Sequence, residues 1–378
     1  MPFEQGPIRP PNEAYSLLIR ITRNCSWNRC VFCPVYKGEK FSRRSESEIL
    51  NDIQELSEAI EWVKEFSWRT GEGGKVTRNV IEKIITTDFV TEAKLAAATW
   101  LYYGSGTVFL QDSDALILPQ KQIIKILEEL RRRIPGITRV TCYTRSCTLM
   151  RKGSKALEEI KMAGLDRVHV GLESGSAKVL ELVKKGETPQ THIEGGRAAI
   201  ESGLELSEYV MPGLGGVQFS KEHAIQTARV VKEISPHFLR LRSLGIRSGS
   251  PLFEMVKKNQ FHPLHDDEVV REIRTLLENL SGTKTVIVSD HILNLLGDIE
   301  GKLPDDLNTM IVRIDSYLGM EKSLREIYRV GRRLGIFQTL SDINDPGKRE
   351  IAETITSKAK LKHGGVDSFC ARLIEKYI

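Results

Sequence analysis

The sequence predicts an α/β protein built as a partial (β/α)6 barrel of the TIM type with a helical C-terminal extension. Short aliphatic and β-branched runs alternate with longer amphipathic segments, the runs end in turn-forming residues, and the strand signals fade after about residue 255. Alternation of this kind is typical of a parallel sheet built from βαβ units. The six predicted strands are YSLLIRIT (15–22), TVFLQ (107–111), TRVTCYT (138–144), RVHVGLE (167–173), LSEYVMPG (206–213) and FLRLRSLGI (238–246).

Two regions are expected along the chain. Residues 1–260 form the barrel domain, and residues 261–378 form a mainly helical region. The first connection, 46–104, is too long for one helix, so we expect a helical insertion of two or three helices, divided by the GEGG loop at 71–74. In the C-terminal region IVSDHILNLLGDIEG (287–301) is interpreted as a helix, as are LNTMIVRIDSYLG and SLREIYRVGRRLGIF.

The composition is that of a globular protein with a sizeable core. Of the 378 residues, 40% are hydrophobic and 28% are charged, and the net charge of +5 is mild. Binding to nucleic acid is permitted by this charge but is not indicated. No apolar run reaches membrane-spanning length, and the N-terminus lacks the pattern of a secretory signal, so a cytoplasmic location is expected.

Half of the six cysteines lie in nine positions directly after the first strand. Cys25, Cys30 and Cys33 have the spacing C-x4-C-x2-C. In a reducing compartment such thiols are more often metal ligands or redox groups than disulfides. Thiolates are soft ligands, so zinc, copper(I) and an iron–sulfur cluster are the candidates. A structural zinc site needs a fourth ligand and none lies nearby, whereas three ligands leave one iron of a four-iron cluster open. The alternative to an iron–sulfur protein is a zinc-stabilised α/β binding protein without radical chemistry.

An aromatic residue, Phe32, stands just before the third cysteine. Further along, the fourth strand continues into GLESGSAKVLELVKKG and the fifth ends in YVMPGLGG. On these motifs the chain resembles the radical S-adenosylmethionine (radical SAM) superfamily, whose loop is usually C-x3-C-x2-C. Its GLESGSAKVLELVKKG segment resembles the G-x-E-S-G-S segment of the subgroup that contains methylthiotransferases, the elongator catalytic subunit and oxygen-independent coproporphyrinogen oxidase. The resemblance covers about residues 15–260.

The resemblance implies which residues contact S-adenosylmethionine. All of them lie in the cysteine motif or at the ends of predicted strands, where the loops of a parallel barrel meet. They are Phe32, Asp112, Asp114, Glu173, Ser174, Gly213, Gly215 and Arg242. Plainer interpretations stay open: the two aspartates are candidate caps of the following helix, Glu173 a candidate ion-pair partner, and the glycines candidate turn formers.

The resemblance also implies the reaction. Its members bind a [4Fe-4S] cluster, take an electron from a flavodoxin- or ferredoxin-like donor, and cleave S-adenosylmethionine to a 5′-deoxyadenosyl radical that removes hydrogen from a substrate. The substrate itself does not follow from the sequence. Candidate substrate contacts at strand ends are Tyr143, Thr144, Arg145, Glu208, Tyr209, Arg240 and Arg242. Of Cys142 and Cys147, one is expected to be a small buried residue and the other is a candidate for an exposed pocket residue. His291 is expected to be structural.

Overall fold

The structure is a computed structural model that describes residues 3–88, 90–362 and 364–377. Within these ranges no helix is both long and apolar enough to cross a membrane. The chain forms two compact units, and each is discontinuous in sequence. Unit 1 comprises Met1–Ser26, Gly38–Val170 and Gly195–Leu206, and unit 2 comprises Trp27–Lys37, Gly171–Glu194 and Ser207–Ile378.

Strands and helices alternate through most of the chain, as predicted. The strands are β1 (Leu17–Arg20), β2 (Thr22–Arg23), β3 (Ser42–Arg43), β4 (Thr107–Gln111), β5 (Arg139–Thr144), β6 (Arg167–Glu173), β7 (Glu205–Val210), β8 (Phe238–Leu241), β9 (Thr285–Val288) and β10 (Gly301–Leu303). The α-helices are α1 (Glu46–Arg69), α2 (Arg78–Ile85), α3 (Glu92–Tyr103), α4 (Gln120–Arg133), α5 (Ser146–Met162), α6 (Ala177–Leu182), α7 (Pro189–Glu201), α8 (Gly216–Ile234), α9 (Pro251–Lys257), α10 (Asp266–Glu278), α11 (Leu307–Leu318), α12 (Lys322–Arg333), α13 (Pro346–Lys362) and α14 (Val366–Glu375).

The main sheet has the strand order β1-β4-β5-β6-β7-β8-β9-β10, and β2 pairs with β3 in a small separate sheet. Within unit 1, β1 pairs with β4, β4 with β5, and β5 with β6, all parallel. Within unit 2, β7 pairs with β8 and β8 with β9 in parallel, and β10 joins β9 antiparallel. Parallel neighbours need long crossovers, which the helices supply. The α/β class is therefore confirmed, with β1 and β4 to β8 as the six predicted strands in partial-barrel order. The sheet is not closed, since β1 and β10 form its edges.

Unit 1 places the N-terminal strands over a helical layer. The neighbours Leu18 and Phe109, on β1 and β4, are both buried. Long runs of buried aliphatic residues on these strands are typical of a parallel sheet covered on both faces. The connection at 46–104 consists of α1, α2 and α3, and α1 packs against α3 and α4. A capping box begins α1, in which Ser45 and Glu48 exchange side-chain and main-chain hydrogen bonds.

Unit 2 has its core beside the ends of β6 and β7. In this unit α8 packs against α10 and α12 packs against α13 and α14. Partly buried hydrophobic residues, among them Phe32, surround a buried cluster that we call the unit 2 cluster. Its members are Val31, Val179, Val183, Met211, Leu214, Leu252 and Phe261.

The helix predicted at 287–301 is wrong. The segment begins inside β9 and continues in turns. The β-branched residues Val286, Ile287 and Val288 pair with β8, and strand pairing outweighs the helical spacing of the leucines that follow. Asn294 then fixes the turn, because its side chain donates to the Leu241 carbonyl at 2.8 Å. The C-terminal region thus contains helices α10 to α14 and two short strands, and the domain limit near residue 260 stays a prediction.

Candidate cofactor site

Residues 27–37 of unit 2, here called the cysteine loop, carry Cys30 and Cys33. Between the two cysteines, Val31 is buried and its N–H donates to the carbonyl of Val183 at 3.0 Å. Both cysteines are half-buried. Buried and half-buried residues alternate here because the main-chain hydrogen bond fixes Val31 with its side chain in the core. The neighbouring residues then lie closer to the surface. The loop is therefore held by its backbone while its thiols stay within reach of solvent.

Further contacts anchor the same loop. The carbonyl of Val31 accepts the N–H of Leu252, at the start of α9, at 3.0 Å. The indole nitrogen of Trp27 donates to the Lys184 carbonyl at 2.7 Å. Its ring lies against Gly186, where a Cβ would come within 2.2 Å of the ring, and this glycine has a φ of +70°. Only glycine satisfies both conditions, so the residues after α6 are shaped to receive Trp27.

Phe32 lies at the edge of the unit 2 cluster and is partly buried against it. The cluster includes Met211 and Leu214, which belong to the glycine-rich segment after β7. Unit 2 therefore brings the cysteine loop and this segment onto one apolar core, as the resemblance implies. The role of Phe32 beside adenine stays a prediction.

The three predicted ligands are divided between the units. Cys25 belongs to unit 1, and Cys30 and Cys33 belong to unit 2. Within either unit taken alone, the described residues contain no group of three His, Cys, Asp or Glu side chains that could hold a metal ion. Cys25 is half-buried like the other two.

The remaining cysteines differ in exposure. Cys142 and Cys370 are buried, and burial raises the pKa of both thiols, that of Cys370 to about 12. A thiol that resists deprotonation is a poor metal ligand, because the thiolate is the binding form. Cys147 is half-buried on α5. In contrast to these buried thiols, Cys25, Cys30 and Cys33 are half-buried soft donors, and such donors fit the ligand chemistry of an iron–sulfur cluster.

In unit 1 the segment after β4 carries the two predicted aspartates, and both are buried. Asp112 accepts from Arg20 at 2.9 Å, and Asp114 accepts from the hydroxyls of Thr144 and Thr148 at 2.8 and 2.7 Å. Burial raises the pKa of Asp114, although these hydrogen bonds oppose the rise. The helix-capping alternative is wrong, because α4 begins after Pro119 without a side-chain cap. Their contact with methionine stays a prediction.

Glu173 ends β6 in an unusual backbone conformation. Its φ is +61°, which few residues other than glycine adopt, and such positions concentrate at functional sites. Hydrogen bonds hold it there: its carbonyl accepts the Met211 N–H at 3.0 Å, and the N–H of Ser174 donates to the Leu172 carbonyl at 2.7 Å. The Glu173 carboxylate pairs with Lys185 at 3.1 Å, with both side chains 13% exposed. The ion-pair interpretation is therefore correct for this structure, and a cofactor contact stays a prediction.

Ser174 is fully buried and its hydroxyl is engaged on both sides. It lies 2.8 Å from Nδ1 of His223 and accepts the N–H of Ser176 at 3.0 Å. Nε2 of the same histidine lies 3.1 Å from the Met211 carbonyl. These contacts fix the turn after β6 against α8. The predicted contact of Ser174 with the cofactor stays a prediction.

The glycines after β7 differ in their surroundings. Gly213 has a φ of +90° and its N–H donates to Glu272 at 2.6 Å, whereas a Cβ on Gly215 would come within 3.0 Å of the Phe219 backbone. The first is thus needed for a turn and the second for close packing at the start of α8. Arg242, beyond β8, is exposed, and its N–H donates to the Val210 carbonyl at 2.9 Å. Cofactor contact of all three stays a prediction.

Several candidate substrate residues have structural partners. Arg240 pairs with Asp290 at 3.0 Å and also donates to Ser207, and the Thr144 hydroxyl is bound to Asp114 as described. His291 is mostly buried, and its burial and the charge of Arg242 lower its pKa to about 4. It is therefore neutral at physiological pH.

In unit 2 the structure adds Lys185 to the candidate residues and shows how deeply Glu208, already a candidate substrate contact, is buried. Lys185 was not singled out by any motif, since it is one of two lysines before a glycine. Glu208 on β7 is fully buried, and burial raises its pKa well above the usual range. Its place in a run of strand residues gives no signal of such burial.

Comparisons with known proteins place these motifs in context. Residues 81–228 match the radical SAM superfamily. The chain is similar to a tRNA uridine(34) acetyltransferase of Methanocaldococcus jannaschii, with 25% identity over 127 residues that make up 32% of this chain and 23% of that protein. It is also similar to a GTP 3′,8-cyclase of Peptoclostridium acidaminophilum, with 25% identity over 159 residues, 42% of this chain and 45% of that protein. The chain therefore spans less than half the length of these relatives.

Among solved structures, the chain is similar to coproporphyrinogen III oxidase of Escherichia coli. The TM-score is 0.40 at 12% identity, covering 96% of this chain and 90% of that one. Methylornithine synthase gives a TM-score of 0.43 at 14% identity, covering 81% and 82% of the two chains. The family match runs from α2 into α8, so it includes the strand-end motifs of β4 to β7 and excludes the cysteine loop.

Proposed function

Because the chain is an enzyme of the radical SAM superfamily, we propose that Cys25, Cys30 and Cys33 hold a [4Fe-4S] cluster and that S-adenosylmethionine binds at its open iron. When bound, such a cluster supplies the electron that cleaves S-adenosylmethionine to methionine and a 5′-deoxyadenosyl radical, which removes hydrogen from the substrate. The superfamily is the one that the sequence motifs predicted. The cluster and its three cysteine ligands are our proposal.

One observation carries the proposal, the anchoring of the cysteine loop. The contacts of Val31 and Trp27 hold the backbone on both sides of Cys30, and they use main-chain groups and an indole while leaving the thiols accessible. A loop held in this way keeps the spacing of two thiolates fixed before any metal binds, which lowers the cost of ordering the site.

The other residues serve binding and orientation. In this proposal Glu173, which pairs with Lys185, accepts a hydrogen bond from the ribose or ammonium group of the cofactor. Phe32 offers an apolar face for adenine, and the glycine-rich segment after β7 packs against the same core. Excluding water from this region protects a radical from side reactions.

The partner implied by this chemistry is an electron donor of the flavodoxin or ferredoxin kind, as members of the superfamily need one. We place the reaction in the cytoplasm, where reducing conditions keep the thiols available as ligands.

Anaerobic reconstitution with iron and sulfide tests the proposal. We expect a brown protein with about four iron atoms per chain that cleaves S-adenosylmethionine when reduced. Cys30→Ala should abolish both properties, because the cluster loses one of three thiolates. Cys147→Ala is the matched control, since this cysteine is equally half-buried and lies outside the motif. A colourless chain with stoichiometric zinc, no iron uptake and unfolding by chelators would instead support the zinc-stabilised binding protein.

A further inference from the structure

Glu208 is a buried acid whose carboxyl group lacks a structural explanation. It lies on β7 with no exposed surface, and among the described residues neither carboxyl oxygen makes a hydrogen bond of good geometry. Buried polar groups in native proteins are almost always bonded, so an exception of this kind needs a reason. A carboxyl group left unbonded in the interior destabilises the fold.

The charges around Glu208 determine its protonation. Burial raises its pKa, and the carboxylates of Glu173 and Glu187 raise it further, while Lys185 opposes the rise. A weak hydrogen bond from the main-chain N–H of Leu172 is the smallest of these contributions and also opposes the rise. The raised pKa favours the protonated form of Glu208 in this arrangement, and the ammonium group of Lys185 pairs with Glu173.

Lys185 pairs with Glu173 and also acts electrostatically on Glu208. Its ammonium group pairs with Glu173 at 3.1 Å, directly over Gly171 of β6. A Cβ at Gly171 would come within 2.9 Å of the ammonium nitrogen and 2.3 Å of the Glu173 carboxylate, so the missing side chain makes room for the pair. β7, which carries Glu208, is the neighbouring strand of β6.

The same segment touches the cysteine loop. Trp27 donates to the carbonyl of Lys184 and packs against Gly186, the two residues that flank Lys185. The ion pair of Glu173 and Lys185 therefore lies next to the residues that anchor the cysteine loop. Glu173 is also the residue proposed above to contact the cofactor.

We propose that Glu208 is a positioning residue that takes over the ammonium group of Lys185 when S-adenosylmethionine claims the carboxylate of Glu173. This inference rests on the proposed function, since the cofactor is the ligand. In this exchange Glu208 loses one proton to solvent. Lys185 keeps its charge and changes partner, and Glu173 stays ionised and binds the cofactor. An acid kept protonated and unbonded in the free enzyme becomes an ion-pair partner in the complex.

The exchange makes cofactor binding depend on pH with a defined sign. The complex holds one proton fewer than the free enzyme, so affinity rises with pH as long as Glu208 is protonated in the free enzyme. The increase approaches about tenfold per pH unit and ends above the pKa of Glu208. The groups that face Glu208 in this unit, Glu173, Glu187 and Lys185, are the ones that set this range.

Calorimetry of S-adenosylmethionine binding to the reconstituted enzyme, in buffers of different ionisation enthalpy, tests the proposal. The wild type should release about one proton on binding at a pH where Glu208 is protonated. Glu208→Gln, which copies the shape of the neutral acid, should release none and should lose the pH dependence of affinity. Glu222→Gln is the control, because Glu222 pairs with Lys178 in the same unit and should behave as the wild type. Equal proton release by Glu208→Gln and the wild type would overturn the proposal.

A crystal structure of the cluster-free Glu173→Gln variant gives a second test that needs no cofactor. Neutralising residue 173 imitates the claim of a ligand on its carboxylate, so the Lys185 ammonium should move to within about 4 Å of Glu208. If it stays beside residue 173 or turns to solvent, the proposal fails, whatever the outcome of reconstitution. If the wild type binds no iron or cofactor but Lys185 moves as expected, the proposed function fails and the coupling of the two acids stands.

Discussion

Buried acids in the two units differ in how completely their carboxyl groups are bonded. In unit 1, Asp112 is bound to an arginine and Asp114 receives two hydroxyls and the N–H of Arg145 at 3.3 Å. In unit 2, Glu208 is equally buried and neither of its oxygens makes a hydrogen bond of good geometry within the described residues. All three are buried carboxyl groups on or just after a strand of the parallel sheet, and their partners differ.

This difference separates acids that build the fold from acids that are available for another task. A buried carboxyl group with all its partners stabilises the local structure, and removing it leaves several donors unbonded. A buried carboxyl group without partners destabilises the fold, and replacing it with a neutral group removes a cost. Neutral substitutions of Asp114 and of Glu208 should therefore change stability in opposite directions.

The largest effect is expected in unit 1. Asp114→Ala leaves the hydroxyls of Thr144 and Thr148 and the N–H of Arg145 without an acceptor, so the free energy of unfolding should fall by about 3 kcal/mol. Urea unfolding of the cluster-free chain measures the change. Glu61→Ala is the control, since its exposed pair with Lys64 is worth less than about 1 kcal/mol. A loss no larger than that of the control would show that the bonded acid does not stabilise unit 1.

A middle effect is expected where unit 2 holds the cysteine loop. Gly186→Ala combines a left-handed backbone with a clash against Trp27 and should lower the free energy of unfolding by about 2 kcal/mol. It should also reduce iron uptake on reconstitution, because the cysteine loop loses the packing of Trp27 against Gly186. Gly249→Ala isolates the backbone cost, since its φ is +80° with nothing within 4 Å, and should cost about 1 kcal/mol with normal iron uptake. If both variants lost the same stability and took up iron normally, the contact of Trp27 with Gly186 would not anchor the cysteine loop.

The smallest effect is expected at Glu208, and it has the opposite sign. The folded chain holds a proton there that the unfolded chain loses above its pKa of about 4.3, so stability falls as pH rises through the interval up to the folded pKa. Glu208→Gln removes this term and should raise the free energy of unfolding at pH 8 by about 1 kcal/mol relative to the wild type, with a smaller gain at pH 5. Urea titrations at both pH values measure it. Destabilisation at pH 8 would mean that the carboxyl group is bonded.

Much of the fold follows from local sequence patterns. The strands at 107–111 and 167–173 agree with β4 and β6 at both ends, because each is a run of apolar and β-branched residues bounded by turn residues. The failure at 287–301 has a clear origin. Short apolar runs fit a strand or a helix equally well, and pairing with β8, which lies far away in sequence, decides between them.

The candidate site divides along the same line. The sequence by itself determined the three clustered thiols, the aromatic residue between them and the strand-end motifs, because ligand chemistry depends on residue type and spacing within one segment. Only the tertiary structure decided that Asp114 is fully bonded, that Lys185 pairs with Glu173, and that Glu208 is buried without a hydrogen bond of good geometry among the described residues. Burial and hydrogen bonding depend on neighbours contributed by other strands and loops, and no local pattern specifies them.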